Sequence, residues 1–134
     1  MTVLCYLRLM DVEQNKATIL RFNDFVNARD IEGLSQMMTD DHVFIDAVDN
    51  RVAGKSACVQ AWQGFFAAFP DYRNDFAQIS ANKELLVVVG RSSCADPRLD
   101  GPALWTAKVR GNCISEWRVF DDSVRNRNKL GLGS

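Results

Sequence analysis

Between Asp40 and Asp75 the chain reads DDHVFIDAVDNRVAGKSACVQAWQGFFAAFPDYRND, and no other stretch limits the fold so tightly. Val43 to Val48 alternates in two sets, Val43/Ile45/Ala47 and Phe44/Asp46/Val48. That is the pattern of a strand, whose successive side chains point to opposite faces. Asp49-Asn50 turns the chain, and Gly54 precedes a helix predicted over residues 56–69. Cys58, Trp62, Phe65 and Phe69 recur at helical spacing there, and Ala61 and Phe66 widen the apolar face. Ser56 is expected to cap this helix. Pro70 ends it, because a proline bars the preceding Phe69 from the helical region. A strand followed by a helix with one broad apolar face needs a second layer to cover it.

The flanking sequence supplies that layer. Residues 13–29 predict an amphipathic helix, with Ile19, Phe22, Phe25 and Val26 on one side. A break is expected at Ala28-Arg29-Asp30, and Asp30 suits the N-cap of a second short helix in which Ile31, Leu34, Met37 and Met38 face inward. Thr39-Asp40-Asp41 reads as a turn. After Pro70 the pattern changes to strands, over 72–80, 85–93, 103–110 and 113–121. The run LLVVVG predicts a strand covered on both faces. Asp96-Pro97 and Asp100-Gly101-Pro102 mark a loop, and Gly111-Asn112 is a two-residue hairpin signal. The tail with Arg125, Arg127 and Lys129 reads as solvated. Helices first, then strand, helix and a run of hairpin-joined strands imply an α+β fold, a cone-shaped curved sheet, mixed or antiparallel, wrapped around the N-terminal helices. Such a cone encloses an apolar pocket, a common setting for small ligands.

Composition narrows the function. The chain has 134 residues, 47% of them hydrophobic, and a net charge of −1. One domain with a real core is expected over residues 12–134, preceded by an extension over 1–11. A near-neutral chain lacks the basic face of a nucleic-acid binder. The four cysteines, at 5, 58, 94 and 113, form no CxxC pair, and there is one histidine, His42. No metal site and no cofactor are expected from that inventory, and the cysteines read as buried free thiols of a cytoplasmic protein. The apolar start MTVLCYLRLM is interrupted by Arg8 and has neither the length of a membrane span nor the pattern of an export signal.

Asp46 stands out as a carboxylate on an apolar strand face. Burial there would raise its pKa toward neutrality and suit it to general-base work. The same residue at a strand end could instead cap backbone amides or pair with Arg51. Asp121 shares a face with Trp117 and Val119, so it either points into the pocket or lies at the surface beside Asp122. Phe22, Trp62, Phe66, Trp105 and Trp117 are candidate pocket walls or ordinary core. Arg91, on the face of Leu85, Val87 and Val89, either meets a ligand anion or reaches solvent. His42, after two aspartates, is expected at the surface.

Taken in order, ARDIEGLSQMMTDDHVFID, VAGKSACVQAWQGFFAAFPDYRND, GNCISEWRVFDD and KLGL resemble a SnoaL-like polyketide cyclase domain, of the nuclear-transport-factor-2-like or ketosteroid-isomerase-like superfamily. The resemblance spans about residues 12–133. It implies a homodimer with an apolar pocket, and it fixes no single activity, because the fold hosts many. Asp46 matches the general-base carboxylate of the isomerases. Asp121, with Asp122 as competitor, resembles the acid of the cyclases. Phe22 stands where the isomerases place an oxyanion-hole tyrosine, no carboxylic acid lies near Trp105, and residues 103–110 hold no histidine. Two functions follow: proton transfer α to a carbonyl of an apolar small molecule, as isomerase or aldol-type cyclase, or a non-catalytic ligand-binding or dimerisation module. A water-adding or dehydrating enzyme is a third, for which a more polar pocket is expected.

Overall fold

A computed structural model describes residues 2–133 and, apart from residues 5–8, their side chains; the expectation for the Cys5 thiol lies outside the described residues. Helix α1 (Val3–Ala28) begins well before the periodic stretch at residue 13. Its second half forms the core, with Ile19, Phe22 and Val26 fully buried, while Val3, Leu4, Leu9 and Met10 are exposed. The helix stops at the predicted break. Arg29 takes the left-handed conformation, φ 56°. Its N–H reaches the Val26 carbonyl at 3.1 Å and the Asp30 N–H reaches Phe25 at 2.9 Å. That pair is a Schellman closure, usually made with glycine. Here the guanidinium holds the turn by donating to the carbonyls of Asn27, Pro70 and Tyr72.

Asp30 caps α2 (Ile31–Gln36) as expected, its carboxylate accepting from the Gly33 N–H at 2.9 Å. Strand β1 (Met38–Ile45) then starts earlier than its alternation suggests. Thr39-Asp40-Asp41 is strand rather than turn, because Met38 already pairs with Ile114. A three-residue strand with no sequence signal of its own, β2 (Arg51–Ala53), lies antiparallel to β1. Helix α3 (Lys55–Ala68) follows. Its cap position is Gly54, at φ 94°, and not Ser56, which falls inside the first turn. The Gly54 N–H is already used by the His42 carbonyl, 2.7 Å away, which ties the helix start to β1.

Strands β3 (Arg73–Asn82), β4 (Leu85–Ser93), β5 (Gly101–Arg110) and β6 (Cys113–Asp121) complete the sheet. Gly111 and Asn112 have φ of 57° and 65°, the two positive values that a tight two-residue hairpin requires. The sheet order is β2-β1-β6-β5-β4-β3. All neighbours are antiparallel except β1 and β6, which run parallel. The sheet is thus mixed, six-stranded and open, and α1 to α3 lie on one side of it, in the α+β arrangement expected.

Its register shifts in three places, between Met38 and Val43 of β1 and at two single-residue bulges that bend it. Phe76 pairs with Gly90 but Gln78 with Val89, so Ala77 is an extra residue in β3. Lys108 pairs with Glu116 but Val109 with Ile114, so Ser115 is extra in β6. Each bulge puts large side chains from both sides of it on one face and increases the local twist. Phe76 and Ile79 consequently join Leu86, Val88, Trp105, Ile114 and Trp117 in the main core under α1 to α3. The opposite face carries Val87, Leu104 and Phe120, covered by Leu130 and Leu132 of the C-terminal segment. The LLVVVG strand is therefore packed on both sides. The predicted solvated tail is only partly so: Ser123 caps a short helix, α4 (Val124–Lys129), and Leu130 behind it is buried.

Candidate functional site

The helix–sheet sandwich is not filled throughout. Toward the ends of β1 and β6 a cavity of about 450 Å³ opens between α3 and the sheet. Phe44 of β1, Trp62 and Phe65 of α3, Tyr72 before β3, Trp105 of β5, and Trp117 with Val119 of β6 form its walls. The Asp46–Val48 turn, Val52 of β2, Cys58 and Ala61 of α3, and Leu99, from the loop before β5, complete the lining. Aromatic rings dominate because β1, β5 and β6 each place one on the inner face at this level, and α3 supplies two from adjacent positions. They brace one another, with Trp62 edge-on to Phe44 at 6.1 Å and to Phe65 at 5.7 Å.

Asp46 is the one charged residue in this lining. It follows the last residue of β1 and is half-buried. Its Oδ1 accepts the backbone N–H groups of Val48 and Asn50, each at 2.9 Å. The Asp46 N–H meets the Asn50 carbonyl at 3.0 Å, so the turn closes on this side chain. Burial alone would raise its pKa, but the amides of Asn50 and Val48, with the Asn50 side chain, outweigh that and hold it below 3.8. The rise toward neutrality expected from its apolar strand neighbours is thus reversed, because two amide dipoles stabilise the charged form. Arg51 makes no ion pair with it among the described residues.

The other predicted residues fall in three groups. Trp62, Trp105 and Trp117 line the cavity. Phe22 and Phe66 stand behind its wall. Phe22 packs 5.1 Å from Trp117, and Phe66 packs 5.3 Å from Trp62. Asp121 and Arg91 are exposed and contribute nothing to the lining. Asp121 lies two residues beyond Val119 at the end of β6. Arg91 has the strand parity of Val87 and Val89, which pack on the far side of the sheet. It pairs there with Asp100 at 3.2 Å. Asp122 is bound to Arg127 at 2.6 Å, a contact that lowers its pKa.

His42 is fully buried, contrary to the surface position expected. The extension of β1 back to Met38 explains this, since His42 then shares the inner face with Phe44. Its Nδ1 donates to the Ile114 carbonyl at 2.6 Å, and its Nε2 has no partner among the described residues. Burial lowers its pKa, against the opposing pull of that carbonyl and of Asp41 and Glu116. A neutral imidazole follows. It sits behind the wall, 6.3 Å from Phe22, rather than in the cavity.

Tyr72 is a lining residue that the sequence reading passed over. Ser92 Oγ gives its proton to Asn74 Oδ1 at 2.7 Å, so the Tyr72 hydroxyl must donate to Ser92, 3.1 Å away. Burial pushes the phenol up, which the contacts to Ser92 and Asn74 partly offset. The position after Pro70, in phase with Asn74 and Phe76, was a usable signal for it. Leu99 had none, because loops carry no parity. Of the cysteines, Cys58 is buried, while Cys94 and Cys113 are half-buried, and all three are free. The Cys58 thiol reaches the Val52 carbonyl at 3.3 Å. Among the described residues no group of three or more His, Cys, Asp or Glu could hold a metal ion. No helix there is long and apolar enough to cross a membrane.

The sequence profile of the SnoaL-like domain family matches residues 19–126. None of the curated proteins compared matches the chain. Several solved structures do. An NTF2-like protein of unknown function from Mesorhizobium loti is 24% identical, with 84% of this chain and 93% of that chain covered and a TM-score of 0.67. A protein from Jannaschia sp. CCS1, described as a SnoaL-like polyketide cyclase, is 18% identical over 91% of this chain and 94% of that one, with a TM-score of 0.69. A protein from Kribbella flavida, described as a ketosteroid isomerase, is 17% identical over 84% and 81%, with a TM-score of 0.70. At such identities the likeness establishes the fold and not the chemistry.

Proposed function

The chain belongs to the SnoaL-like domain family, and on that premise we propose that it binds an apolar small molecule in the cone, with Asp46 as the polar group that orients it. The observation that carries this reading is the aromatic cavity of about 450 Å³ with a single carboxylate in its lining. A volume of that order suits a drug-sized or smaller ligand, and a mostly apolar wall with few polar groups is the usual form of such sites. Binding of hydrophobic probes, read by tryptophan fluorescence, tests it. Trp62, Trp105 and Trp117 all report on the cavity, so probe binding should change the emission. Replacing Val119 by Trp, which fills the cavity, should abolish the change. Probe binding that survives this substitution would place the ligand elsewhere.

A second reading adds catalysis. Asp46 takes a proton from the carbon next to a ligand carbonyl, as the isomerase and cyclase resemblance implies. Its position in the cavity lining supports this. The amides of Val48 and Asn50 weigh against it, since they stabilise the carboxylate and make it a weaker base. Exchange of solvent deuterium into an apolar cyclic ketone separates the two readings. Exchange that is lost in Asp46→Asn supports proton transfer. A ketone that binds without exchanging leaves the protein a binding module.

A further inference from the structure

The charge pattern of the cavity bears on what kind of molecule fills it. Asp41, Asp49, Asp75, Asp96, Asp100 and Asp122 each pair with an arginine. Asp46 forms no ion pair among the described residues, although it is half-buried and they supply cations freely elsewhere. No lysine or arginine lines the cavity. Two amides fix one carboxylate oxygen, which pins the group in place and favours its charged form. Six aromatic side chains, among them Phe44, Trp62 and Trp117, contribute to the surrounding wall, and the face of an aromatic ring carries the negative end of its quadrupole. An anionic ligand would therefore meet the Asp46 carboxylate with no lysine or arginine in the lining to offset it, and a neutral one would leave that carboxylate without a counter-charge.

We infer that the site selects a cation: an apolar body bearing a protonated or quaternary ammonium head, with the head beside Asp46 and the body against Phe44, Trp62 and Trp117. This rests on the reading that the cavity binds an apolar small molecule, and it adds the class of that molecule. Aromatic faces and a carboxylate attract the same group, because an ammonium gains from the ring quadrupole as well as from the full charge.

Benzyltrimethylammonium and its carbon isostere neopentylbenzene have the same shape and differ in charge, so titrating both into the intact chain isolates the electrostatic part. Ligand-observed NMR and tryptophan fluorescence are the readouts. The cation is expected to bind at least about tenfold more tightly than the isostere, as a desolvated cation–aromatic contact with a counter-ion should allow. Asp46→Asn keeps an oxygen for the two amides and removes the charge. It should bring the two affinities together, and added salt should narrow the wild-type difference. Equal binding of the two probes, or a preference that persists in Asp46→Asn, overturns the inference and leaves the apolar-ligand reading standing. Failure of both probes to bind overturns both. Thermal unfolding of Asp46→Asn, run alongside, establishes that the variant is folded; Trp62→Leu, which thins the aromatic wall, is the second test and should also reduce the preference.

Discussion

Asp46 shows how a side chain's surroundings are set by a turn and not by its strand neighbours. Alternation from Val43 to Val48 correctly set it beside Phe44 at the cavity. The sign of its pKa shift was not legible, because it depends on amides that only the conformation of residues 46–50 brings to one oxygen. An NMR titration should find Asp46 with a midpoint below 3.8. The folded pKa is depressed, so its contribution to stability is present above the unfolded value and is lost as pH falls through the folded one. Asp46→Ala, which removes both amide contacts, should cost about 1 kcal/mol, and Asp46→Asn less. His42 acts in the same direction on acidification, but at a higher pH. Its pKa is lowered by burial from 6.5. The unfolded chain therefore takes up the proton first, and stability should fall as pH drops below that unfolded value. Denaturant midpoints at about pH 7.5 and 5.5 measure this. His42→Asn, which retains a donor for the Ile114 carbonyl, should flatten the difference. His42 was misread because two preceding aspartates look like a turn, whereas long-range pairing to Ile114 makes them strand.

At the level of elements, most of the chain was legible where periodicity is strong. The helix stop at Pro70, the Asp30 cap and the Gly111-Asn112 hairpin all follow from local chemistry. The three residues of β2 were invisible, since so short a strand exists only by pairing with β1. The two bulges were also invisible, because an extra residue is defined by the partner strand. Gly90 marks one of them. A Cβ there would come within 2.3 Å of the Asp75 carbonyl oxygen, directly beside the bulged pair. Gly90→Ala should therefore destabilise by about 1–3 kcal/mol, read as a lower urea midpoint with an unchanged slope. Arg29 supplies a second test. It occupies a left-handed position while its side chain holds three carbonyls. Arg29→Ala loses the contacts and keeps the backbone strain, so it should be less stable than Arg29→Gly by about 1 kcal/mol.

The whole molecule is a mixed sheet buttressed unequally. Three helices cover one face, and a few C-terminal side chains cover part of the other. The α+β class and the helix-wrapped sheet were readable from the order of patterns, but not the location of the cavity, which is a gap left by packing. Nor did the pattern reveal that the terminal segment buries Leu130. Leu130→Ala should cost about 2–5 kcal/mol in unfolding experiments, because it uncovers Val87, Leu104 and Phe120. Ligand binding on the opposite face should be unaffected. The parallel pairing of β1 with β6 reaches further still. Phe44 meets Trp117 across it, so the sheet wall of the cavity joins strands more than 70 residues apart in the sequence. A chain leaving the ribosome has made its aromatic helix and first strand long before the strand that completes the wall. Folding must wait for a contact of high sequence separation, which is slow. Until then Phe44 and Trp62 lack the strand that covers them, and transiently exposed apolar surface of this kind favours aggregation.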